Sequence, residues 1–501
     1  MSDDEIATYL GYKGYTIYKK NISVEEQQML RKELNVKAFV PKSSLIKPQP
    51  FPVYRESKSK LYVPRFYGME VYGEPDDIII NEGKKINVNF KGELRPKQKP
   101  VVEKYMKHIK TKGSGLLALH TGFGKTCLAL NIISRIKLKT IIIVHKEFLL
   151  RQWIERIEQF LPDAKVGKIQ AKTIDTEGKD IVICMLQSLS MKDYPKDMFK
   201  EYGFMIVDEV HHLGAEVFSR AFYKIVTKYA LGLSATIKRK DGLTKVIKWF
   251  LGDVVCKIER KGEDNVLVKV INYEHSDEDF NKTTLNFRGQ VNYTGMIKKI
   301  CEFNRRSEFI LKVLDDLLKE NRDQQIMILG HQKKLLQYLH DAIRHRTIAT
   351  VGYYVGGMKE KDLKISEGKQ IIIATYAMAE EGLDIKTLTT LVMATPKVDV
   401  TQSVGRILRQ KRKESLVVDI VDSHVIFEKH FKKRKTFYRK QKFRIIEATM
   451  EQYEKDEWET IYDPFISKKF SKGKKTNKKV KPKKSKYDEP LLSGVCLVGD
   501  D

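Results

Sequence analysis

The strongest constraint on the fold of this chain is a repeated alternation of short apolar runs with helical segments. Between residues 92 and 255, each apolar run is only a few residues long. Such runs, separated by stretches of helical periodicity, indicate a parallel sheet covered by helices on both faces. The runs are GLLALH (115–120), TIIIVH (140–145), DIVICM (180–185), FMIVDE (204–209) and ALGLSAT (230–236).

The alternation starts again after residue 300 and predicts a second α/β domain. Its runs are QQIMILG (324–330), KQIIIAT (369–375), LTTLVMAT (388–395) and SLVVDIVD (415–422). A Lys-rich block near the C-terminus cannot form a core, because like charges repel, and we expect a disordered basic tail. The predicted parts are an α+β N-terminal accessory region (1–85), the first parallel-sheet domain (86–255), a linker (256–300), the second parallel-sheet domain (301–455) and the tail (456–501).

The charge of the chain indicates a polyanionic partner. There are 93 Lys and Arg residues against 65 Asp and Glu residues, which leaves a formal charge of +28. Nucleic acid is the first candidate and an acidic membrane surface the second. No apolar run approaches the roughly 20 residues that a bilayer span needs. With nucleic acid as the first candidate, we expect no membrane partner. The five cysteines form no C-x-x-C pair, which is typical of a reducing, intracellular compartment.

A glycine-containing loop follows the first apolar run and leads directly into the helical stretch CLALNIISRI. Glycines let backbone N–H groups wrap a phosphate closely, and the helix N-terminus adds positive potential. We expect Lys125 to reach the β- and γ-phosphates of ATP and Thr126 to bind Mg²⁺. The residues predicted to hold the nucleotide are Thr121, Gly122, Phe123, Gly124, Lys125 and Thr126.

Two adjacent carboxylates, Asp208 and Glu209, stand at the carboxyl end of the run FMIV. Ligands of open α/β sheets lie at this end of the strands. We expect Asp208 to hold Mg²⁺ through water and Glu209 to orient or deprotonate the attacking water. The neighbouring pair His211 and His212 is a poor zinc site, because adjacent side chains on a helix point roughly 100° apart.

Four segments in a fixed order resemble the motifs of superfamily 2 helicases. The order of these segments is specific to the family, although each alone is short. The resemblance covers about residues 95 to 409. Leu119 stands where the general phosphate loop has its first glycine, and helicase-type loops often lack that glycine. The segments are Asp208-Glu209-Val210-His211, Ser234-Ala235-Thr236, Glu381-Gly382-Leu383-Asp384 and Gln402-Ser403-Val404-Gly405-Arg406-Ile407-Leu408-Arg409.

The resemblance implies two RecA-like domains with ATP and Mg²⁺ in the cleft between them. Gln98 resembles the residue that reads adenine in this family. Gln402 and Arg406 would face the γ-phosphate from the second domain, and Arg409 resembles the arginine finger. Gly382 and Asp384 would touch the ribose or relay domain closure. The residues expected to couple hydrolysis to movement are His211, Ser234, Ala235 and Thr236.

Within the superfamily, the segment SATIKRKDGL (234–243) resembles the XPB-type branch of double-stranded-DNA translocases. The overall length, the N-terminal region and the basic tail resemble the helicases of large cytoplasmic DNA viruses, including the poxvirus transcript-release type. The expected partner is therefore DNA, together with a viral RNA polymerase or transcription complex, in the virion or the host cytoplasm.

Two alternatives stay open at this point. An RNA helicase or RNP remodeller carries much the same motor motifs, because discrimination of the 2′-OH depends on local contacts. A binding protein with an inactive ATP site is disfavoured, since the expected catalytic residues are all present. Nucleic acid is expected along the segments 145–153, 186–190, 330–334, 354–362 and 374–382, whereas Trp153 is expected in the core.

Overall fold

The computed structural model describes residues 7–40, 48–195, 197–212, 215–237, 239, 241–259, 265–381, 385–407 and 414–465. The Lys-rich block of the predicted tail, like Gly382, Asp384 and Arg409, lies outside these residues. Two eight-stranded sheets, one five-stranded sheet and a two-stranded sheet of β3 (Asn35–Val36) and β4 (Phe51–Pro52) organise the described chain. In the part of the chain that the structure describes, no helix is both long and apolar enough to cross a bilayer.

The N-terminal region is a small α+β unit built on the sheet β5-β6-β2-β1-β7. Its strands are β1 (Thr8–Gly11), β2 (Gly14–Tyr18), β3 (Asn35–Val36), β4 (Phe51–Pro52), β5 (Arg55–Glu56), β6 (Lys60–Val63) and β7 (Asp77–Ile78). Its helices are α1 (Val24–Glu33) and α2 (Arg65–Tyr72).

This unit shares a hydrophobic core with the domain that follows. Helix α2 packs so tightly on the sheet that a Cβ on Gly68 would lie 2.2 Å from the ring of Tyr15. The residue before Gly68 in α2 is Tyr67, whose ring meets Trp249 edge-on at 5.2 Å between centroids. The N-terminal unit is thereby held against the first parallel-sheet domain by buried aromatic contacts.

The first parallel-sheet domain has the strand order β11-β10-β12-β9-β13-β14-β8-β15. All its pairs are parallel except β10 with β11. Its strands are β8 (Ser114–Leu119), β9 (Thr140–Val144), β10 (Val166–Gln170), β11 (Thr173–Asp175), β12 (Ile181–Met185), β13 (Phe204–Val207), β14 (Tyr229–Ser234) and β15 (Val254–Ile258). Its helices are α3 (Lys99–Lys112), α4 (Lys125–Ile136), α5 (Glu147–Phe160), α6 (Leu186–Met191), α7 (Ala215–Phe222) and α8 (Thr244–Leu251).

The second parallel-sheet domain has the strand order β18-β19-β17-β20-β21-β16-β22-β23, with only β22 and β23 antiparallel. Its strands are β16 (Val266–Tyr273), β17 (Ile326–Gly330), β18 (Val351–Tyr354), β19 (Ile371–Thr375), β20 (Thr390–Met393), β21 (Ser415–Asp422), β22 (Arg444–Thr449) and β23 (Glu459–Tyr462). Its helices are α9 (Glu278–Asn281), α10 (Tyr293–Glu302), α11 (Asn304–Glu320), α12 (Lys333–His345), α13 (Glu360–Glu367), α14 (Tyr376–Glu381), α15 (Thr401–Ile407), α16 (Val425–Lys440) and α17 (Met450–Glu454).

The prediction of tandem parallel-sheet domains is confirmed, because the central strands are buried on both faces as their apolar runs require. The predicted linker at 256–300 is wrong in extent. Strand β15 belongs to the first sheet, β16 is an interior strand of the second sheet, and α10 packs into the second core. Only the residues between β15 and β16 connect the two sheets.

The prediction that the tail starts at residue 456 is also wrong. Strand β23 pairs with β22 and extends the second sheet to Tyr462. Edge strands are short and half solvated, so they lack the continuous apolar run that marks an interior strand. The burial pattern of β23 has this character, since its residues are exposed or half-buried. The second sheet therefore continues past the last run that its sequence reveals.

Candidate functional site

The loop between β8 and α4 has the geometry of a phosphate cradle. Gly122 and Gly124 have φ angles of 83° and 91°, in the left-handed region that favours glycine. A Cβ on Gly122 would meet nothing within 4 Å, so the loop backbone faces open space on that side. Helix α4 begins at Lys125, which places its free N–H groups at the loop.

Gln98, expected to read adenine, is buried and holds the phosphate loop. Its side-chain oxygen accepts a bond of 2.8 Å from the backbone N–H of Arg95, and its amide donates at 2.8 Å to the carbonyl of Phe123. A Cβ on Gly124 would lie 2.5 Å from this amide nitrogen, so that position has no room for a side chain. The structure thus gives Gln98 a loop-holding contact, whereas the adenine contact stays a prediction.

Asp208 lies just beyond the carboxyl end of β13, buried beside the phosphate loop. Its Oδ1 accepts the backbone N–H of Glu209 at 2.9 Å, and its Oδ2 accepts Nε1–H of Trp153 at 2.9 Å. Burial, and next the charge of Glu209, raise the pKa of the Asp208 carboxyl, while the nearby Lys125 ammonium opposes that shift. A buried carboxylate in such surroundings favours a nearby cation.

Glu209 occupies a backbone conformation with φ 48°, which L-residues rarely adopt. Strained conformations of this kind persist where the surrounding structure fixes them, often at functional sites. Here the side chain is fixed by an ion pair between its Oε1 and the ammonium of Lys125. The acidic motif and the phosphate loop are therefore joined directly in this structure.

The predicted coupling residues form one hydrogen-bonded chain. Nδ1 of His211 lies 2.7 Å from the hydroxyl oxygen of Ser234 and 3.4 Å from Oε2 of Glu209. The Ser234 hydroxyl donates in turn to the carbonyl of Thr236. Ala235 contributes backbone to the same turn. This network brings the acidic motif at the end of β13 into contact with the segment that follows β14.

Helix α15 of the second domain reaches this chain across the cleft. The amide nitrogen of Gln402 lies 3.2 Å from Nε2 of His211. This geometry makes Nε2 the acceptor and leaves the ring proton on Nδ1, an assignment that rests on the hydrogen-bond network. A Cβ on Gly405 would lie 3.4 Å from the Cβ of Thr121 in the phosphate loop. Arg406 lies in the same helix, one residue beyond this contact.

Ion pairs also link the domains away from α15. Arg151, on α5, donates to Oε2 of Glu360, on α13, at 3.2 Å. Lys364, one turn further along α13, lies 3.8 Å from Glu155. These side chains are largely solvent-exposed, so each pair adds little stability, but both mark where the domains meet.

The connection from β20 to α15 is held in a way that the sequence did not indicate. Four consecutive carbonyls, at residues 394–397, each accept a hydrogen bond from a different side chain, and these bonds measure 2.5–3.1 Å. The donors, in the order of the carbonyls, are Arg306, Tyr376, Tyr293 and Arg434. The segment that carries α15 therefore has its carbonyl positions fixed from several elements of the second domain.

Two of these donors are arginines that are fully buried as ion pairs. Arg306 pairs with Asp422, and Arg434 forms a bidentate pair with Asp419 at 2.7 and 2.8 Å. A buried charge requires a partner with good geometry, and both arginines have one. Asp419 also accepts the hydroxyl of Tyr438 at 3.0 Å. The arginines that hold the 394–397 segment are thus rigidly oriented themselves.

These features together define an ATPase of the helicase type. They are the two parallel-sheet domains, the phosphate cradle, the acidic motif and the helix that reaches the first domain from the second. Residues 91–239 match the family described as "Type III restriction enzyme, res subunit". A protein of Acanthamoeba polyphaga mimivirus, named as an ATP-dependent RNA helicase, is 36% identical over 480 residues, which cover 93% of this chain and 92% of that protein.

A second relative, from African swine fever virus (isolate Pig/Kenya/KEN-50/1950) and also named as an ATP-dependent RNA helicase, is 26% identical over 74% of this chain and 77% of its own length. The crystal structure of UvsW from T4 matches at 18% identity and a TM-score of 0.34, over 88% of this chain and 99% of that one. The chain belongs to the superfamily 2 helicases of large DNA viruses and is a nucleic-acid-dependent ATPase, which confirms the predicted family.

Proposed function

We propose that this helicase uses ATP hydrolysis to move along DNA by opening and closing the cleft between its two parallel-sheet domains. The observation that carries the proposal is the contact of Gln402 with His211, because it links the second domain to the acidic motif of the first. A contact of this kind exists only while the cleft is closed. A ligand that favours the closed state therefore shifts the domains towards it, and loss of that ligand releases them.

The residues at the cradle fit ATP and Mg²⁺. The glycine φ angles and the open space at Gly122 suit a backbone that wraps a phosphate, and the buried Asp208 suits a cation. We assign Thr126 and Asp208 to Mg²⁺, and the residues of the 121–126 loop to the phosphates. The bound nucleotide supplies the phosphoanhydride bond whose hydrolysis drives the motor.

The ion pair of Lys125 with Glu209 suggests how the motor is kept idle. When phosphate binds, Lys125 exchanges its carboxylate partner for the phosphate oxygens, and Glu209 becomes available to orient or deprotonate water. Arg406 and Arg409 add positive charge from the second domain, and one such guanidinium is worth about 10³–10⁵ in rate in related reactions. Hydrolysis then depends on closure.

The polar chain through His211 and Ser234 is proposed to report closure to the rest of the first domain. Arg239 extends the chain, because its guanidinium donates to the carbonyl of His211 at 3.3 Å and pairs with Asp241. A change in the position of Gln402 can therefore be transmitted to the segment 234–243 through continuous contacts. Coupling along this route is proposed because the contacts are contiguous.

Nucleic acid is proposed to cross the carboxyl ends of the strands in both sheets. The segments expected to bind it directly follow parallel strands, so they begin at the same edge of their sheet. They lie after β9, β12, β17, β18 and β19. Backbone N–H groups and small hydroxyls in these segments can bind phosphate and sugar without dependence on base sequence.

DNA is the proposed track because the segment 234–243 resembles that of double-stranded-DNA translocases. RNA is the second candidate, and the names of the two viral relatives favour it. We further propose that the motor acts in the infected cell or the virion, in transcript release or genome handling with a viral RNA polymerase. These roles rest on the viral resemblance and on the basic character of the chain.

The deciding experiment measures ATP hydrolysis with single-stranded DNA, duplex DNA and RNA in parallel, at several salt concentrations. Phosphate-dominated binding weakens steeply as salt rises, so all stimulation should fall with salt. Stronger stimulation by DNA supports the proposed track, whereas stimulation by RNA alone contradicts it. Lys125→Ala should abolish turnover, and Glu209→Gln should bind ATP without hydrolysing it; normal hydrolysis by Glu209→Gln would show that Glu209 does not act on water.

A further inference from the structure

A short hairpin at residues 284–292 leaves the second domain near its functional edge. It lies between β16, whose carboxyl end is at Tyr273, and the start of α10. Tyr293, the first residue of α10, donates its hydroxyl to the carbonyl of Pro396 at 3.1 Å. The foot of the 284–292 hairpin is therefore attached to the segment that carries α15, at the edge where the proposed nucleic-acid loops emerge.

The 284–292 hairpin is well ordered by its own hydrogen bonds. Leu285 and Val291 are cross-strand partners, and the backbone N–H of Asn286 donates to the carbonyl of Gln290 at 2.7 Å. The side-chain oxygen of Asn286 accepts the N–H groups of residues 288 and 290 at 2.9 and 3.0 Å. Gly289 has a φ of 69°, as the tight turn requires. The tip is thus a fixed projection.

The tip presents apolar side chains to solvent. Phe287 is 79% exposed, Leu285 is 54% exposed and Val291 is 44% exposed. Leu285 and Val291 lie on one face because they are cross-strand partners, and Phe287 lies in the turn that joins them. A single exposed aromatic residue is ordinary, but three apolar residues on one ordered hairpin indicate a contact surface.

The charge of the 284–292 hairpin favours a nucleic acid as the occupant. The hairpin contains no acidic residue, and its one charged side chain, Arg288, lies with its guanidinium 5.1 Å from the ring centroid of Phe287. An aromatic ring beside an arginine provides stacking for a base and a cation for its phosphate.

We propose that the 284–292 hairpin contacts the bases of the nucleic acid at the point where paired strands part, with Phe287 stacking on an exposed base and Arg288 on the neighbouring phosphate. This inference rests on the proposed function, because it requires a strand moving over the carboxyl edge of the second sheet. It adds a specific element that separates strands, as distinct from the residues that hydrolyse ATP.

The test compares Phe287→Ala with Phe39→Ala, a matched control at a phenylalanine that is also largely exposed but lies in the N-terminal unit. Strand separation is measured on a partial duplex of whichever nucleic acid best stimulates the ATPase. Loss of one base stack should lower the rate of strand separation about tenfold in Phe287→Ala, with stimulated ATP hydrolysis kept within about twofold of the parent. Phe39→Ala should match the parent in both.

A second measurement does not depend on activity. Phe287→Trp places a fluorescent ring at the tip, and single-stranded nucleic acid should quench its emission beyond the change seen in the parent protein. Equal strand separation by the two alanine variants would overturn the proposal, and so would a parallel loss of ATP hydrolysis in Phe287→Ala. If the parent separates no strands, the proposed helicase function fails, and the quenching decides the role of the hairpin: no additional quenching refutes it.

Discussion

Replacing Trp153 by phenylalanine tests how the acidic motif is held. Trp153 is 1% exposed, and its Nε1–H donates to Oδ2 of Asp208 at 2.9 Å inside the first domain. Phenylalanine retains most of the apolar ring but removes the donor. A buried hydrogen bond to a charged group contributes about 1.5–3 kcal/mol, so its loss leaves the Asp208 carboxylate less stable by that amount.

Burial and the charge of Glu209 raise the pKa of Asp208, and the Trp153 bond acts against them. Removing that bond raises the pKa of Asp208 further, because the charged form of the carboxyl loses a hydrogen-bond donor. The carboxylate then protonates at higher pH, so the acidic limb of ATP hydrolysis should move to higher pH and the Mg²⁺ requirement at neutral pH should increase by up to about tenfold.

The assay is ATP hydrolysis titrated with Mg²⁺ and repeated across pH. Trp249→Phe is the matched control, since Trp249 is also buried in the same domain but packs against Tyr67 instead. Melting curves verify that both variants stay folded. An unchanged Mg²⁺ requirement and an unshifted acidic limb in Trp153→Phe would refute the reasoning, because they would mean that the Trp153 bond does not stabilise the charged carboxylate.

The remaining predictions concern closure and stability. Gly405→Leu should lower stimulated ATP hydrolysis at least about tenfold with an unchanged melting temperature, because the new side chain lies against Thr121 where the domains meet; full activity would show that this contact is not needed. Arg434→Met should lower the free energy of unfolding of the second domain by about 3–5 kcal/mol, measured by urea titration, since Asp419 stays buried without its partner; a change below about 1 kcal/mol would contradict this. Gly68→Ala should lower the free energy of unfolding by about 1–3 kcal/mol and make the N-terminal unit sensitive to limited proteolysis, because the added methyl group overlaps the buried ring of Tyr15. Unchanged resistance to proteolysis would argue against tight docking of the unit.

Much of the fold could be predicted because its signals are local. An interior parallel strand such as β8 needs an unbroken apolar run, and the loop before Lys125 needs glycine, so both features are present within a few residues. The extent of the linker was predicted wrongly because the signal for strand β16 is not local. Strand β16 is followed by a polar segment, and only its insertion between β21 and β22 reveals that it belongs to the second sheet.

The candidate site, too, could be predicted only in part from the sequence. The position of Asp208 at the end of an apolar run predicted that its carboxyl would lie at the edge of the sheet, and the structure places it there. The expectation that Trp153 lies in the core is confirmed, but nothing in the sequence paired it with Asp208. Likewise, no pattern indicated that residues 394–397 would be held by side chains from four separate positions.

By itself, the sequence determined which residues can do chemistry and which runs become strands, because glycine conformations, apolar periodicity and charge are properties of short segments. Tertiary structure alone decided the partners of those residues. Gln402 and His211 are 191 positions apart, and they meet only because two separately folded sheets close over one cleft. Hydrogen bonds depend on distances of about 3 Å, which domain packing sets and sequence spacing does not.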